Sequence, residues 1–351
     1  MPDLLVAGAG MAGLAAAARA RELGGSVQVL EKGDRPGGSM LLSSGFVWRH
    51  GSFSDFRAEC PGGDEALQRL VFDGLDESLD WLESLGAPVL ARETGNPLTC
   101  GRRFDTRGLT DALVRASGDV RLGSPLSELP DGVPVLLATG GFQGDPSLVR
   151  SHITPEADHV LLRANPWSAG DGLRLGLDAG GSLSAGMGEF YGRNMPAPPA
   201  RVDAAGFVPL AQLYARFASV VGPTGENFTT SAWSEIDVVQ WTARQPGARA
   251  RYVVPDSALG ERVRERTVGD MIESARLAGA RVERDGRATS VEVVAAITTT
   301  LGGLRVDASG RVADGLFAAG ADAGGVSTGG YSSGLAAALV LGRVAAEAAL
   351  R

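Results

Sequence analysis

Short apolar runs and an alanine-rich stretch alternate at the start of the chain. Residues 4–7 are apolar and are followed by Gly8, and residues 11–21 are rich in alanine. This order predicts a strand, a tight turn and a helix. A second apolar run, residues 27–30, ends at Glu31 and predicts another strand. The three elements together predict a βαβ unit, which is typical of α/β proteins.

Two later apolar runs have the same character. Residues 133–138 run into Thr139, Gly140 and Gly141, and residues 316–319 run into Gly320, as expected of buried strands in a parallel sheet. Residues 335–350, which are rich in Ala, Leu and Val, predict a closing helix. We therefore expect an α/β fold with a Rossmann-like domain built from both ends of the chain.

The middle of the chain has a different pattern. Prolines and tryptophans become common there, and the regular alternation of strand and helix is lost. We interpret residues 145–291 as an inserted α+β cap domain. Residues 1–144 and 292–351 would then form one discontinuous domain.

Composition and charge narrow the class of protein. The 351 residues are 44% hydrophobic, and the net charge of −8 comes from interspersed acids, which gives no indication of a nucleic-acid surface. Two cysteines, Cys60 and Cys100, and the scattered histidines His50, His152 and His159 predict neither a disulfide framework nor a metal site. The start lacks a basic leader and no apolar run has membrane-spanning length, so we expect a cytoplasmic protein without a membrane span.

A glycine motif follows the first predicted strand and opens the first predicted helix. Gly8-Ala9-Gly10-Met11-Ala12-Gly13 matches G-x-G-x-x-G, in which the glycines permit a tight turn, a close approach to pyrophosphate and helix–strand packing. The motif alone is also compatible with a structural glycine turn. Glu31 lies at the end of the second strand, where a carboxylate accepts hydrogen bonds from an adenosine ribose. The combination predicts an adenine dinucleotide site.

A second glycine pair favours FAD over NAD. It lies in Arg35-Pro36-Gly37-Gly38-Ser39, shortly after the ribose acid. A NAD site needs no such pair, whereas an elongated FAD that lies across the sheet needs further close approaches of the backbone.

The segments just described belong to a longer series of motifs along the chain. After the first glycine motif, this series comprises Glu31-Lys32, Gly37-Gly38-Ser39 with Ser43-Ser44-Gly45, Ala138-Thr139-Gly140-Gly141-Phe142, Gly170-Asp171-Gly172 and Asp314-Gly315-Leu316-Phe317-Ala318-Ala319-Gly320-Ala321. Together with the first glycine motif, this set resembles the fumarate reductase/succinate dehydrogenase flavoprotein superfamily. It is especially similar to soluble members such as 3-ketosteroid Δ1-dehydrogenases and tricarballylate dehydrogenase.

The resemblance implies where the chain would contact FAD. Gly37 to Ser39 would contact the pyrophosphate and flavin side, Ser43 to Gly45 the isoalloxazine, Asp171 the flavin region, and Asp322 the ribityl–pyrophosphate stretch. Residues 333–335 would begin a helix whose positive end faces the flavin pyrimidine edge. The implied cofactor-binding residues are Gly8, Gly10, Met11, Ala12, Gly13, Glu31, Lys32, Gly37, Gly38, Ser39, Met40, Ser43, Ser44, Gly45, Thr139, Gly140, Gly141, Asp171, Gly320, Asp322, Ser333, Gly334 and Leu335.

Two departures from the superfamily concern covalent attachment and substrate. Relatives that attach FAD covalently use a histidine soon after the glycine pair, where this chain has residues 39–42, Ser-Met-Leu-Leu, so we expect non-covalent FAD. Fumarate reductases also have a histidine before the segment that resembles residues 299–303, and an arginine near the position of Gly329. Here Ile297 or Thr298 replaces that histidine and the arginine is missing. Fumarate and succinate are therefore not the expected substrates.

Candidate catalytic residues follow from the chemistry of a C–C bond beside a carbonyl, which needs a carbonyl donor and a base for the α-proton. Tyr331 is the first candidate, because ketosteroid-type relatives carry a tyrosine close by, nearer Thr328 in our count. The alternative is that Tyr331 only packs against the flavin. Tyr191 and Arg193 lie where relatives face the substrate, and their alternative role is cap structure.

These features predict an FAD-dependent dehydrogenase or reductase that acts on a C–C bond adjacent to a carbonyl of a small organic substrate. It would exchange electrons with an unidentified donor or acceptor. Two alternatives stay open: a flavin-dependent isomerase that moves a double bond without net redox change, and a flavin-binding protein that has lost its activity.

Overall fold

The computed structural model describes residues 1–230 and 233–351. By internal contacts the chain divides into two compact units. The first unit comprises Met1–Asp145, Asn165–Glu189 and Thr299–Arg351, and the second comprises Pro146–Ala164 and Phe190–Thr298. Residues 165–189, which we assigned to the cap by sequence, therefore group with the first unit, while residues 292–298 group with the second.

The α-helices and strands of the described residues have the following bounds. The helices are α1 (Met11–Glu22), α2 (Phe53–Glu59), α3 (Glu65–Ser84), α4 (Thr106–Ser117), α5 (Pro146–His152), α6 (Asp171–Asp178), α7 (Glu235–Ala243), α8 (Val268–Leu277) and α9 (Gly334–Ala349). The strands are β1 (Leu4–Ala7), β2 (Val27–Leu30), β3 (Phe46–His50), β4 (Val89–Ala91), β5 (Thr99–Phe104), β6 (Val120–Arg121), β7 (Val135–Leu137), β8 (Leu161–Leu162), β9 (Phe190–Pro196), β10 (Ser219–Val221), β11 (Arg249–Pro255), β12 (Arg262–Val263), β13 (Arg266–Thr267), β14 (Val282–Asp285), β15 (Ala288–Thr300), β16 (Arg311–Ala313) and β17 (Leu316–Ala318).

The main sheet of the first unit has the strand order β16-β17-β7-β1-β2-β6. Strand β1 pairs in parallel with β2 and β7, and Ala7 is in register with Leu30 and Leu137. All four residues of β1 are buried, as an apolar strand in the middle of a covered parallel sheet should be. The predicted α/β class with a Rossmann-like sheet is therefore confirmed. The carboxyl ends of β1, β2 and β7 meet at one edge, where such folds bind their ligands.

Small residues bring the first and last helices together in the first unit. A Cβ on Gly342 of α9 would lie 2.4 Å from the carbonyl oxygen of Ala12 in α1. Alanines line the buried sides of both helices, so the backbones can approach closely. A smaller sheet with the order β3-β5-β4 belongs to the same unit.

The second unit is a mixed α+β body around the long strand β15. The sheet has the order β10-β11-β15-β14, and β8 and β9 also pair with β15. Val291 and Val293 of β15 join a buried cluster with Tyr214 and Tyr252, which helix α8 covers with Met271. Within residues 1–230 and 233–351, no helix combines the length and the apolar character that a membrane crossing requires.

Candidate functional site

The loop between β1 and α1 needs glycine at two positions for packing reasons. Gly8 has φ +107°, and a Cβ there would lie 2.2 Å from the carbonyl oxygen of Ala138. A Cβ on Gly13 would lie 1.9 Å from the carbonyl oxygen of Gly8. Gly10 differs, because its φ is −84° and no heavy atom lies within 4 Å of its Cβ position. Packing within the protein therefore does not explain Gly10, whereas a ligand that approaches the backbone would.

The first turn of α1 has backbone donors that no side chain caps. Gly10 is the N-cap residue, it offers no side-chain hydrogen bond, and the first turn contains no acidic residue. Leu14 donates the first backbone hydrogen bond of the helix, to the carbonyl of Gly10. The N–H groups of Met11, Ala12 and Gly13 precede it, so they and the helix dipole favour an anionic group at this end.

The second glycine pair lies against this loop. The N–H of Gly37 donates to the carbonyl of Ala9 over 2.7 Å, and a Cβ on Gly38 would lie 3.2 Å from the Cα of Gly10. Both glycines of the pair have positive φ, +105° and +52°, which side-chain-bearing residues rarely adopt. The next residue, Ser39, accepts a hydrogen bond from Asn165 Nδ2 at 3.2 Å. The two predicted phosphate segments are thus brought together.

Glu31 holds the same loop from the end of β2. One carboxylate oxygen accepts the N–H of Ala9 and the other accepts the N–H of Gly33, both at 2.7 Å. The side chain is buried. Each carboxylate oxygen has a second lone pair, so both protein bonds are compatible with further hydrogen bonds from ribose hydroxyls.

Lys32 and Asp171 form an ion pair within the first unit. The Lys32 ammonium lies 2.7 Å from one Asp171 oxygen, and Arg174 lies 2.7 Å from the other. Asp171 is the first residue of α6 and follows Gly170, whose φ is +80°. These contacts, together with the bond from Asn165 to Ser39, explain why residues 165–189 group with the first unit.

Asp322 clamps the loop that follows β7. Its carboxylate accepts hydrogen bonds from the N–H of Thr139, the Thr139 hydroxyl and the N–H of Gly141. The residue is 1% exposed, and burial raises the pKa of its carboxyl although these bonds act in the opposite direction. The side chain points to the loop, so the geometry assigns it to holding Thr139 to Gly141. Its predicted direct contact with FAD stays a prediction.

The other predicted cofactor residues also lie in the first unit. Ser43 Oγ donates to the carbonyl of Met40 and accepts the N–H of Gly45, which fixes the turn before β3. The carbonyl of Ser44 accepts a hydrogen bond from Arg103 Nε at 3.1 Å. Ser333 is the N-cap of α9, and its hydroxyl accepts the N–H of Ala336. This last bond satisfies one donor at the start of α9, in contrast to the uncapped start of α1.

Tyr331 lies on a loop that is held on several sides. Its ring makes an edge contact with Trp48 at a centroid distance of 5.8 Å. Two residues earlier, the N–H of Gly329 donates to Glu189 Oε2 over 2.7 Å. The hydroxyls of Ser327 and Ser332 are 2.6 Å apart. The sequence did not indicate the contacts that Trp48 and Glu189 make with this loop, because both residues come from distant segments of the chain.

Tyr191 and Arg193 lie in the second unit, on β9. They are two residues apart and so lie on the same face of the strand. The Arg193 guanidinium lies 4.7 Å from the centroid of the Tyr191 ring, and its Nη1 donates to the carbonyl of Gly192. The pair therefore forms a cation–π contact, which orients the guanidinium.

Glu235 is a titratable group of the second unit that the sequence analysis did not identify. It is the first residue of α7, and burial raises the pKa of its carboxyl to about 7. Arg193, a hydrogen bond from the backbone of Ala215, Arg216 and Arg264 act in the opposite direction. A carboxyl that titrates near neutral pH is suited to acid–base chemistry. Its neighbours come from three separate segments, so no local pattern indicates it.

Comparison with known families gives one match that covers most of the chain. The model of the FAD binding domain family matches residues 3–116 and 132–335. Among curated protein sequences, none matches the chain significantly.

Several solved structures have the same fold. A flavocytochrome c3 fumarate reductase aligns with a TM-score of 0.74 at 21% identity, over 99% of this chain and 78% of that one. The 3-ketosteroid-delta4-(5alpha)-dehydrogenase of Rhodococcus jostii RHA1 aligns with a TM-score of 0.73 at 20% identity, over 100% and 97%. The 3-ketosteroid delta1-dehydrogenase of Sterolibacterium denitrificans aligns with a TM-score of 0.73 at 16% identity, over 99% of each chain. At these identities the likeness concerns the fold.

Proposed function

This chain belongs to the FAD binding domain family, and on that premise we propose that it is an FAD-dependent oxidoreductase. We propose further that it oxidises or reduces a C–C bond adjacent to a carbonyl group of a small organic substrate. The superfamily resemblance and the FAD cofactor that the sequence predicted are confirmed at the level of family and fold. The proposed reaction at a C–C bond is supported by the similar structures, which are a fumarate reductase and two ketosteroid dehydrogenases.

One observation carries the cofactor part of the proposal: the two glycine segments meet at the uncapped start of α1. The Cβ position of Gly10 is open and lies at the start of α1, whose first three N–H groups precede the first backbone hydrogen bond of the helix, and Gly38 packs closely against Gly10. We assign these groups to the pyrophosphate and the carboxylate of Glu31 to the adenosine ribose. When bound, FAD supplies a group that accepts or donates a hydride.

The attachment of FAD is proposed to be non-covalent. The segment after the glycine pair offers Ser39, Met40, Leu41 and Leu42, and none of these is a side chain that relatives use for attachment. Acid precipitation of the purified yellow protein should therefore leave all flavin in the supernatant. Flavin that stays with the precipitate would contradict this assignment.

The chain's own residues would prepare the substrate for the reaction. We propose that the Tyr331 phenol donates a hydrogen bond to the substrate carbonyl, which makes the adjacent C–H more acidic. Tyr191 and Arg193 are proposed substrate-binding residues, because a guanidinium can hold a carbonyl or carboxylate oxygen.

Turnover with an artificial electron acceptor tests the proposed reaction. The panel contains enones, saturated ketones and unsaturated acids, and each is incubated with the holoprotein with and without the acceptor or a chemical reductant. Substrate conversion that requires the acceptor or the reductant supports the oxidoreductase. An isomerised product without either would indicate the double-bond isomerase, and no conversion across the panel would indicate a flavin-binding protein without this activity.

A further inference from the structure

An aromatic cluster from β3 and α2 surrounds the proposed catalytic tyrosine. Trp48 and His50 are two residues apart on β3 and so lie on the same face of the strand. The Trp48 ring contacts the rings of Tyr331 and His50 edge-on, at centroid distances of 5.8 and 5.3 Å. The His50 ring in turn stacks on Phe56, with centroids 5.3 Å apart and planes at 29°. The imidazole is therefore fixed on both sides by aromatic rings.

His50 also reaches the backbone of Tyr331. A ring N–H of His50 faces the Tyr331 carbonyl, and this interaction favours the protonated imidazole. Nε2 is buried without a hydrogen-bond partner in the described part of the chain, so the nitrogen that faces the carbonyl is Nδ1. Burial has the larger effect and lowers the pKa of His50. The ring is therefore neutral near pH 7 and has a single N–H to donate.

Other contacts hold the loop on either side of Tyr331. Glu189 holds Gly329, the Ser327 and Ser332 hydroxyls lie together, and a Cβ on Gly330 would lie 1.8 Å from the carbonyl oxygen of Glu59. The Tyr331 ring itself contacts Trp48, whose ring is also in contact with the His50 ring.

We propose that His50 is a positioning residue for Tyr331, which it holds through the backbone carbonyl directly and through Trp48 at the ring. This inference rests on the proposed function, because that function gives the Tyr331 phenol its chemical role. His50 itself does not contact the reacting atoms in this proposal. Its effect on turnover is transmitted through the placement of the phenol.

Three substitutions at His50 separate the hydrogen bond from the ring packing. H50F keeps an aromatic ring between Trp48 and Phe56 and removes the donor, whereas H50N and H50Q each restore an amide donor near one of the two ring nitrogens. We expect H50F to lower kcat about tenfold with little change in KM, and one of the two amide variants to recover most of that loss. H159F is the matched control, because His159 is exposed in the second unit, and its kcat should equal that of the parent.

A double variant distinguishes positioning from a general structural role. If His50 acts through Tyr331, H50F should lower kcat in the parent but cause no further loss in a Y331F background, with the flavin spectrum retained in both. A loss of equal size in both backgrounds would overturn the proposal. So would an H50F variant that turns over like the parent.

A spectroscopic measurement keeps the proposal testable if Tyr331 proves to have no catalytic role. In that case Y331F alone would leave kcat unchanged, which refutes the role that the proposed function gives Tyr331 but not its placement by His50. The ultraviolet titration difference between the parent and Y331F isolates the ionisation of the Tyr331 phenol. H50F should shift that titration and the restoring amide variant should not. An unshifted titration would refute the positioning itself.

Discussion

Gly10 and Gly38 meet backbone to backbone, since a Cβ built on Gly38 would lie 3.2 Å from the Cα of Gly10. No heavy atom occupies the Cβ position of Gly10 itself, and its φ of −84° suits alanine. G10A should therefore fold normally, while its methyl group fills the space assigned to the pyrophosphate. We expect the Kd for FAD to rise at least about tenfold, which equals about 1.4 kcal/mol. Flavin fluorescence titration measures it.

Two other glycines serve as controls for this variant. G260A adds a methyl group where no heavy atom lies within 4 Å, so FAD affinity should not change. G13A places the methyl group 1.9 Å from the carbonyl oxygen of Gly8, so we expect its main effect to be a lower folding stability rather than a lower affinity for FAD. If G10A and G260A bind FAD equally well, the assignment of the pyrophosphate to Gly10 is wrong.

Replacement of Tyr331 by Phe tests the proposed carbonyl donor. Y331F removes the hydroxyl and keeps the ring that contacts Trp48. Turnover should fall at least about tenfold, in line with the loss of one acid–base group, while the yellow chromophore stays bound. Steady-state kinetics with the artificial acceptor, together with the visible spectrum, check both parts. An unchanged rate would remove Tyr331 from the mechanism.

The Asp322 clamp predicts an effect on stability. D322N replaces one carboxylate oxygen by an NH2 group, which then faces a backbone N–H of Thr139 or Gly141 instead of accepting from it. The free energy of unfolding should fall by about 1–3 kcal/mol, the range for a buried donor left without an acceptor. Urea unfolding measures this change. D314N, at an exposed acid of the same unit, is the control and should change stability by less than about 0.5 kcal/mol.

The raised pKa of Glu235 predicts how the free energy of unfolding depends on pH. Its pKa is about 7 in the folded protein and ordinarily 4.5, so the folded state binds the proton more tightly. This carboxyl therefore favours folding fully below pH 4.5, and the contribution is lost as pH rises through 7. E235Q removes that dependence. The free energy of unfolding of E235Q, measured relative to that of the parent, should therefore rise by on the order of 3 kcal/mol between acid and neutral pH.

Urea unfolding of both proteins at several pH values measures the difference for Glu235. Other titrating groups, such as Asp322 and His50, are common to both proteins and cancel. E261Q is the control at an exposed glutamate of the same unit, and its difference from the parent should stay flat. A flat difference for E235Q as well would contradict the raised pKa.

The regular elements of the first unit could be predicted well from the sequence. Predicted strands at 4–7 and 27–30 coincide with β1 and β2, and the predicted helix at 11–21 differs from α1 by one residue. Here apolar runs, an alanine-rich helix and glycines give strong local signals. Gly8 and Gly13 were predicted for the reasons that their contacts now show, a tight turn and close helix–strand packing.

Contacts between distant segments could not be predicted. Residues 165–189 belong to the first unit because of side-chain bonds such as Asn165 to Ser39 and Asp171 to Lys32, and neither bond leaves a periodic pattern in the sequence. The raised pKa of Glu235 likewise depends on burial by elements that are far apart along the chain. The roles of Tyr331, Tyr191 and Arg193 in turnover stay predictions.

The position of β7 between β1 and β17 has a consequence for biosynthesis. β7 ends at residue 137 and its outer neighbour β17 begins at residue 316, so a growing chain carries an unpaired apolar strand edge until the ribosome has made all of the chain in between. At ordinary translation speeds this interval lasts on the order of ten seconds or more. An open edge of this kind invites pairing with other nascent chains, so production in cells should benefit from chaperones that shield it.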